Sequence, residues 1–226
     1  MIDVMQATLL VLAGGESRRM GRPKAWLEVG ETTLLRWMVE RLGPAFSEVV
    51  VSFAEPEQLE QHVPYRLVFD RKLAAGPLAG IEAGLTVARN DVTFAIACDM
   101  PYVTREVAEM AVAAARGCDA AMPRFGVRPE PVCAAYCRSS LPLITDAIDA
   151  GRLKAADLAA IGLLELEPFL DAALVAGVED DLPVARDRVV GLEEGGGVGV
   201  GHLLDGDDDL HRRAIIAAPG KRHGIA

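Results

Sequence analysis

The sequence predicts an α/β fold, three layers deep, built on a doubly wound and mostly parallel sheet. Three observations carry that expectation. Short apolar, β-rich runs alternate with helical periodicities from Gln6 to Ala150, the pattern of parallel βαβ units. Glycine or aspartate ends several of those runs, at Gly14-Gly15, Asp70 and Asp99. The chain of 226 residues is 51% hydrophobic with a mean hydropathy of +0.23, enough apolar side chain for a full core.

Each element follows from local pattern. Gln6–Leu12 is uniformly apolar and stops at the double glycine, so it reads as a buried strand. Thr32 or Thr33 caps a helix through Leu34, Leu35, Met38, Val39 and Leu42, whose spacing is helical. Glu48–Phe53 gives a second strand, Pro56 opens a short helix over Leu59, and Tyr65–Asp70 gives a third strand. The Gly- and Pro-containing loop 71–77 leads to a helix over Leu78–Ala88. Val92–Ala97 is a fourth strand, and Thr104 caps a helix through Val107, Met110 and Ala114. Ala120–Met122 and Val132–Tyr136 read as short strands, with a last helix from Ser139 to about Ala150.

Charge and cysteine content exclude several functions. The net charge of −10 and pI near 4.9 argue against nucleic acid or an anionic membrane as a partner. No apolar run approaches transmembrane length, and Asp3 stands where a cationic leader would begin; a cytoplasmic protein is expected. Cys98, Cys118, Cys133 and Cys137 lack the paired spacing of a zinc site, so they are expected to be reduced and mostly buried thiols.

Against this acidic background, Leu12–Lys24 (LAGGESRRMGRPK) stands out. Gly14 and Gly15 remove side chains from a strand-to-loop turn, so backbone N–H groups can face a phosphate. Arg18, Arg19, Arg22 and Lys24 bring cations to the same place. Together they form an anion-binding nest reinforced by point charges. It is not a P-loop, since no Gly-Lys-Ser/Thr follows. In doubly wound sheets the ligand crevice lies beyond the carboxyl ends of the strands. Gly14–Lys24, Asp70 and Asp99 occupy three of those ends. Asp99, in Cys98-Asp99-Met100-Pro101, would repel a polyphosphate unless a cation intervened; Mg²⁺ bound by one carboxylate and phosphate oxygens resolves the conflict. Asp70 either caps the glycine loop or hydrogen-bonds a base or ribose. Gly76, Gly80 and Gly84, with Ala79 and Ala83, permit close approach of a ligand, of the sheet, or of both.

Leu12–Lys24, Asp70 with the following Ala74–Leu85, and Ala97–Val103 (ACDMPYV), in this order, resemble the molybdenum cofactor guanylyltransferase family, the MobA type. The resemblance runs from about Ala7 to Leu153 and includes Pro129-Glu130-Pro131-Val132. It implies a Rossmann-like nucleotidyltransferase of the nucleotide-diphospho-sugar-transferase kind that joins GMP from GTP to molybdopterin, releasing pyrophosphate with Mg²⁺ as cofactor. By position, Leu12, Ala13, Gly14 and Gly15 would contact the nucleotide, Lys24 the phosphates, Asp70 the guanosine, and Asp99 both nucleotide and Mg²⁺. Lys24, Arg19 and Asp99 would carry catalysis, with Gly76 and Gly80 beside the substrate; cofactor-delivery proteins are implied partners. Ser52 stands where the family often has Asn, and a hydroxyl cannot pair bidentately. The family's Asn-x-Asn-Thr-Pro-Glu segment is absent after Leu170. Other expected readings are a molybdopterin cytidylyltransferase, a sugar-phosphate nucleotidyltransferase, or an inactive GTP-binding accessory protein.

The composition changes beyond Leu170. Glu193–Gly201 is glycine-rich and Asp205–Asp209 acidic, neither matching a binding motif: Leu210 and Ile216 stand where a calcium loop needs Gly and Glu. The expected division is a nucleotidyltransferase domain over 1–170 and an atypical, flexible tail over 171–226. The weak pterin-side signature leaves Arg128 and Glu130 as candidate contacts there.

Overall fold

A computed structural model of the chain describes residues 4–15, 23–73, 75–125 and 128–154. β1 (Met5–Leu12) leads through the glycine turn to a 3-10 turn at Lys24–Trp26 and a small hairpin, β2 (Glu28–Val29) and β3 (Thr32–Thr33). α1 (Leu34–Leu42), β4 (Phe46–Phe53), β5 (Arg66–Phe69), α2 (Pro77–Val87), β6 (Val92–Ala97) and α3 (Arg105–Ala114) follow. β7 (Ala120–Ala121), a hairpin of β8 (Arg124–Phe125) and β9 (Arg128–Pro129), β10 (Cys133–Cys137) and α4 (Leu141–Asp149) complete the described fold.

The main sheet has the order β5-β4-β1-β6-β10-β7. β1, β4, β5 and β6 are parallel, whereas β10 runs antiparallel to β6 and to β7. The departure from an all-parallel sheet begins where a hairpin replaces a crossover helix, because a hairpin reverses the chain. Side chains alternate across the sheet. Leu9, Val11, Phe94, Ile96 and Val51 pack with α1 and α3 on one face; Leu10, Val50, Ala95 and Tyr136 pack with α2 and α4 on the other. Period-2 strands between two helical layers make the three-layer architecture.

The expected helix starts resolve at particular residues. Thr33, rather than Thr32, caps α1: its hydroxyl accepts the Arg36 N–H at 3.4 Å. Thr104 occupies the N-cap position of α3 without making that backbone bond. Met110, expected on the apolar stripe of α3, is exposed; Val107, Ala108, Ala111 and Val112 form the buried face. The turn at Pro56 closes by Gln58 and is a single 3-10 turn.

α2 lies close against the sheet because two glycines leave room. A Cβ on Gly84 would sit 2.3 Å from Leu10 Cδ2, and one on Gly80 would meet Ser52 Oγ at 2.9 Å and Leu12 Cδ2 at 3.0 Å. Leu10 is fully buried, and its Cδ1 and Cγ would also lie within 3 Å of the Gly84 Cβ, so the whole side chain must shift. Gly84→Ala therefore destabilises the fold by about 1–2 kcal/mol, overpacking outweighing the gain in helix propensity. The midpoint of urea unfolding should fall; a midpoint equal to or above wild type contradicts this packing.

Candidate active site

The carboxyl ends of four parallel strands converge in register. Leu12 of β1 lies between Ser52 of β4 and Ala97 of β6, and Phe53 lies beside Phe69 of β5. Backbone bonds carry this alignment one residue further: Ala13 N–H donates to Ser52 O at 2.7 Å, Cys98 N–H to Leu12 O at 3.0 Å, and Asp70 N–H to Phe53 O at 3.2 Å. The three polar ends singled out in the sequence thus share one rim of the sheet.

Gly14 is held by the scaffold as well as suited to a ligand. A Cβ there would lie 2.4 Å from Ala54 N, where the end of β4 passes. Among the described residues nothing lies within 4 Å of the corresponding position at Gly15. Gln58 braces this turn. Its Oε1 accepts the Ala54 N–H at 2.8 Å, and its Nε2 donates to Gly14 O at 3.4 Å. The bracing residue lies 44 positions along the chain from its glycine, and no local spacing announces it.

Lys24 and Asp99 meet as an ion pair, Nζ to Oδ2 at 3.0 Å, with side chains only 11% and 14% exposed. The placement of Lys24 depends on its neighbour Trp26, whose indole stacks on Phe53 with ring centroids 5.7 Å apart. The Trp26 Nε1–H donates to Gln58 O at 2.6 Å. Asp99 lies two residues beyond the end of β6, and its loop is strapped by α1. Arg41, at the end of α1, donates from Nη1 to Pro101 O at 2.7 Å while its guanidinium lies 4.5 Å over the Trp37 ring. Burial pushes the neighbouring Cys98 thiol well up, the charge of Asp99 adding to the effect, so this cysteine stays protonated and inert.

Asp70 is half-buried at the end of β5 and accepts a bond from the Ser52 hydroxyl at 3.4 Å. Desolvation raises its carboxyl to about 6, Ser52 opposing and the charge of Glu82 reinforcing the shift. The sign has a direct consequence. An ionised Asp70 can accept two N–H donors of a base, one on each oxygen; protonated, it loses the charge and turns one of those oxygens into a donor. Affinity for guanosine, which carries no titrating phosphate, should therefore fall as pH drops through about 6. Competition binding across that range checks it, and a flat profile would detach Asp70 from the base.

Gly76 begins α2 in the left-handed region, with φ 63°, a conformation that favours glycine. Gly80 is buried, and the close approach it permits is to Ser52 and Leu12 of the sheet. Glu130 is buried beside β10, with Val132 N–H donating to its Oε1 at 3.4 Å. Arg18, Arg19 and Arg22 lie outside the described residues, as do the side chain of Arg128 and the whole region beyond residue 154, including the boundary expected at Leu170. The four cysteines are free thiols, Cys118 half-buried and the other three buried. Among the described residues no cluster of three or more His, Cys, Asp or Glu could hold a metal ion. The Asp99 carboxylate at the rim is an oxygen donor of the kind a hard cation such as Mg²⁺ takes beside phosphate oxygens.

The MobA-like NTP transferase domain family matches residues 9–160, which contain every residue placed at this rim. The chain belongs to the MobA-like NTP transferase family. Among its relatives, a protein of Pelotomaculum thermopropionicum named "Probable molybdenum cofactor guanylyltransferase" is 36% identical over 154 residues, spanning 68% of this chain and 75% of the relative. The "Molybdenum cofactor guanylyltransferase" of Syntrophotalea carbinolica is 36% identical over 147 residues, 63% of this chain and 68% of the relative. Among solved structures, molybdopterin-guanine dinucleotide biosynthesis protein A of Archaeoglobus fulgidus superposes with a TM-score of 0.63 at 27% identity, covering 78% of this chain and 93% of that one. As a member of the MobA-like family the chain is a nucleotidyltransferase, with the Rossmann-like fold expected of it. No described helix is long and apolar enough to cross a membrane.

Proposed function

We propose that this chain transfers GMP from GTP to molybdopterin-bound molybdenum cofactor, giving the guanine dinucleotide form and pyrophosphate. The observation that carries the reading is the meeting of Lys24 and Asp99 at the strand rim, beside the Gly14-Gly15 turn and within a chain of the MobA-like family. Names borne by relatives supply the acceptor, and the site's chemistry suits the transfer.

A terminal phosphate oxygen of the acceptor attacks the α-phosphorus of GTP in line. One P–O bond forms, the bond to the bridging oxygen of the β-phosphate breaks, and pyrophosphate departs. No protein nucleophile is required; positioning and charge stabilisation carry the catalysis. The turn at Gly14 and Gly15 offers backbone N–H groups to the phosphates. Lys24 meets the negative charge that spreads over them, with Arg19 in the same segment as a second donor. Leu12 and Ala13 flank the nucleotide, and Asp70, oriented by Ser52, receives N–H groups of the guanine. Asp99 would hold Mg²⁺, which when bound neutralises phosphate charge and aligns the leaving group. Gly76 opens the helix beside the substrate, with Gly80 setting how closely that helix lies. Arg128 and Glu130 are the pterin-side candidates. The reading puts the enzyme in the cytoplasm, supplied with its acceptor by cofactor-delivery proteins.

Turnover with GTP, CTP and UTP in turn, with Mg²⁺ and molybdopterin, tests this directly. Pyrophosphate release should require GTP, and mass spectrometry should find the guanine dinucleotide. Preference for CTP or UTP moves the chain to another nucleotidyltransferase specificity. GTP binding without turnover makes it an accessory protein.

A further inference from the structure

The described fold contains a buried carboxylate, Glu82, held by a half-exposed arginine that phosphate chemistry does not use. Glu82, in the middle of α2, has a side chain only 5% exposed. It accepts from Arg71 Nε at 3.2 Å on each oxygen, from Arg71 Nη2 at 3.0 Å, and from Thr145 Oγ1 of α4 at 2.8 Å. Arg71 reaches on to Asp149 Oδ1 at 2.9 Å, and Lys72 Nζ donates to Ile148 O at 2.8 Å, both at the end of α4. Arg71 and Lys72 are the two residues immediately after Asp70. The loop leaving β5 is therefore folded back and tied to both helices of that face, starting one residue from the candidate base-binding carboxylate.

We propose that Glu82 is a positioning residue for Asp70, holding it against Ser52 through the forked contact with Arg71. The inference rests on the reading of Asp70 as a nucleotide contact. Two effects separate in this arrangement. The fork fixes where the Asp70 backbone sits, since a planar guanidinium gripped through two nitrogens resists rotation. The charge of Glu82 also faces Asp70 and favours its protonated form. The groups facing the Asp70 carboxyl are Ser52 from β4 and Glu82 from α2. Glu82 is tied to α4 by the Thr145 hydroxyl, and Arg71 by Asp149. Affinity follows the first effect, and the pH at which Asp70 titrates follows the second.

The test uses the full-length chain and four variants: Glu82→Gln, Glu82→Asp, Arg71→Lys and Asp70→Asn. GTP–Mg²⁺ affinity is measured at about pH 8, where Asp70 is ionised. The titration of Asp70 is followed by carboxyl ¹³C NMR, its signal assigned by loss in Asp70→Asn. Glu82→Gln should weaken GTP binding roughly tenfold, the scale on which outer partners act on binding groups. It should also move the Asp70 midpoint below its wild-type value near 6 by roughly half a pH unit. Glu82→Asp keeps the charge but lacks the reach, so its midpoint should stay near wild type while GTP binding weakens. Arg71 is half exposed, and Arg71→Lys should weaken GTP binding without unfolding the chain, so it carries the test if Glu82→Gln fails to fold. If Asp70→Asn weakens binding while Glu82→Gln and Arg71→Lys bind GTP as wild type does, the positioning role is overturned and the reading of Asp70 stands. If Asp70→Asn itself binds as wild type, the nucleotide reading falls and this inference with it.

Discussion

Asp99→Asn should abolish turnover, by more than about 10³-fold, while leaving a cooperatively folded protein. The carboxylate stands two residues beyond β6 with Lys24 Nζ 3.0 Å away. The amide keeps the side chain's shape and an oxygen able to accept from Lys24, so the packing at the rim survives. What disappears is the negative charge. Without it the site loses its candidate hold on Mg²⁺, and the nucleotide phosphates lose a neutralising partner. Pyrophosphate release across a range of Mg²⁺ concentrations, beside a thermal melt, separates the two consequences. Near-normal Mg²⁺-dependent turnover would refute the assignment of Asp99 to the metal.

Lys24→Ala should slow the reaction by on the order of 10²–10³, the loss typical of removing one preorganised donor to developing charge. The ammonium is largely buried, and Trp26, two residues on, is pinned by Phe53 and Gln58. Its direction is thus fixed before substrate arrives. Lys24→Arg should restore only part of the rate, because a planar fork is larger than the compact ammonium this pocket encloses. Single-turnover rates at saturating GTP read the effect without confusion from affinity. Wild-type behaviour of Lys24→Ala would return the lysine to the role of an ordinary loop cation.

How much of this site was legible in the sequence depends on the range of the signal. Gly14-Gly15, Asp70 and Asp99 each sit at the end of an apolar run, and strand ends on one side of a parallel sheet must share a rim. Their convergence therefore needed only local pattern and one topological rule. The choice between the readings of Gly80 and Gly84 did not: only the approach of α2 to Ser52, Leu12 and Leu10 displays the helix-to-sheet contact. Gln58 and Arg41 escaped notice for a similar reason. Gln58 lies in a short polar turn and Arg41 on an amphipathic helix, and neither spacing tells that one reaches Gly14 and the other Pro101. Glu82 sits within a motif otherwise made of small and apolar residues, and its charge had no visible partner until the loop after β5 folded Arg71 back onto α2.

The sequence by itself determined the layer architecture, because strand and helix periods are encoded within windows of a few residues. It also pointed to the kind of ligand, because cations and glycines concentrated in one turn of an acidic chain suit phosphate. Tertiary structure decided the antiparallel direction of β10, the pairing of Lys24 with Asp99, and the ionic ties from Arg71 to Glu82 and α4. These depend on groups far apart in the chain, brought to a few ångströms by the packing of whole layers. A side chain's electrostatic partner is set by that distance, which no local pattern contains.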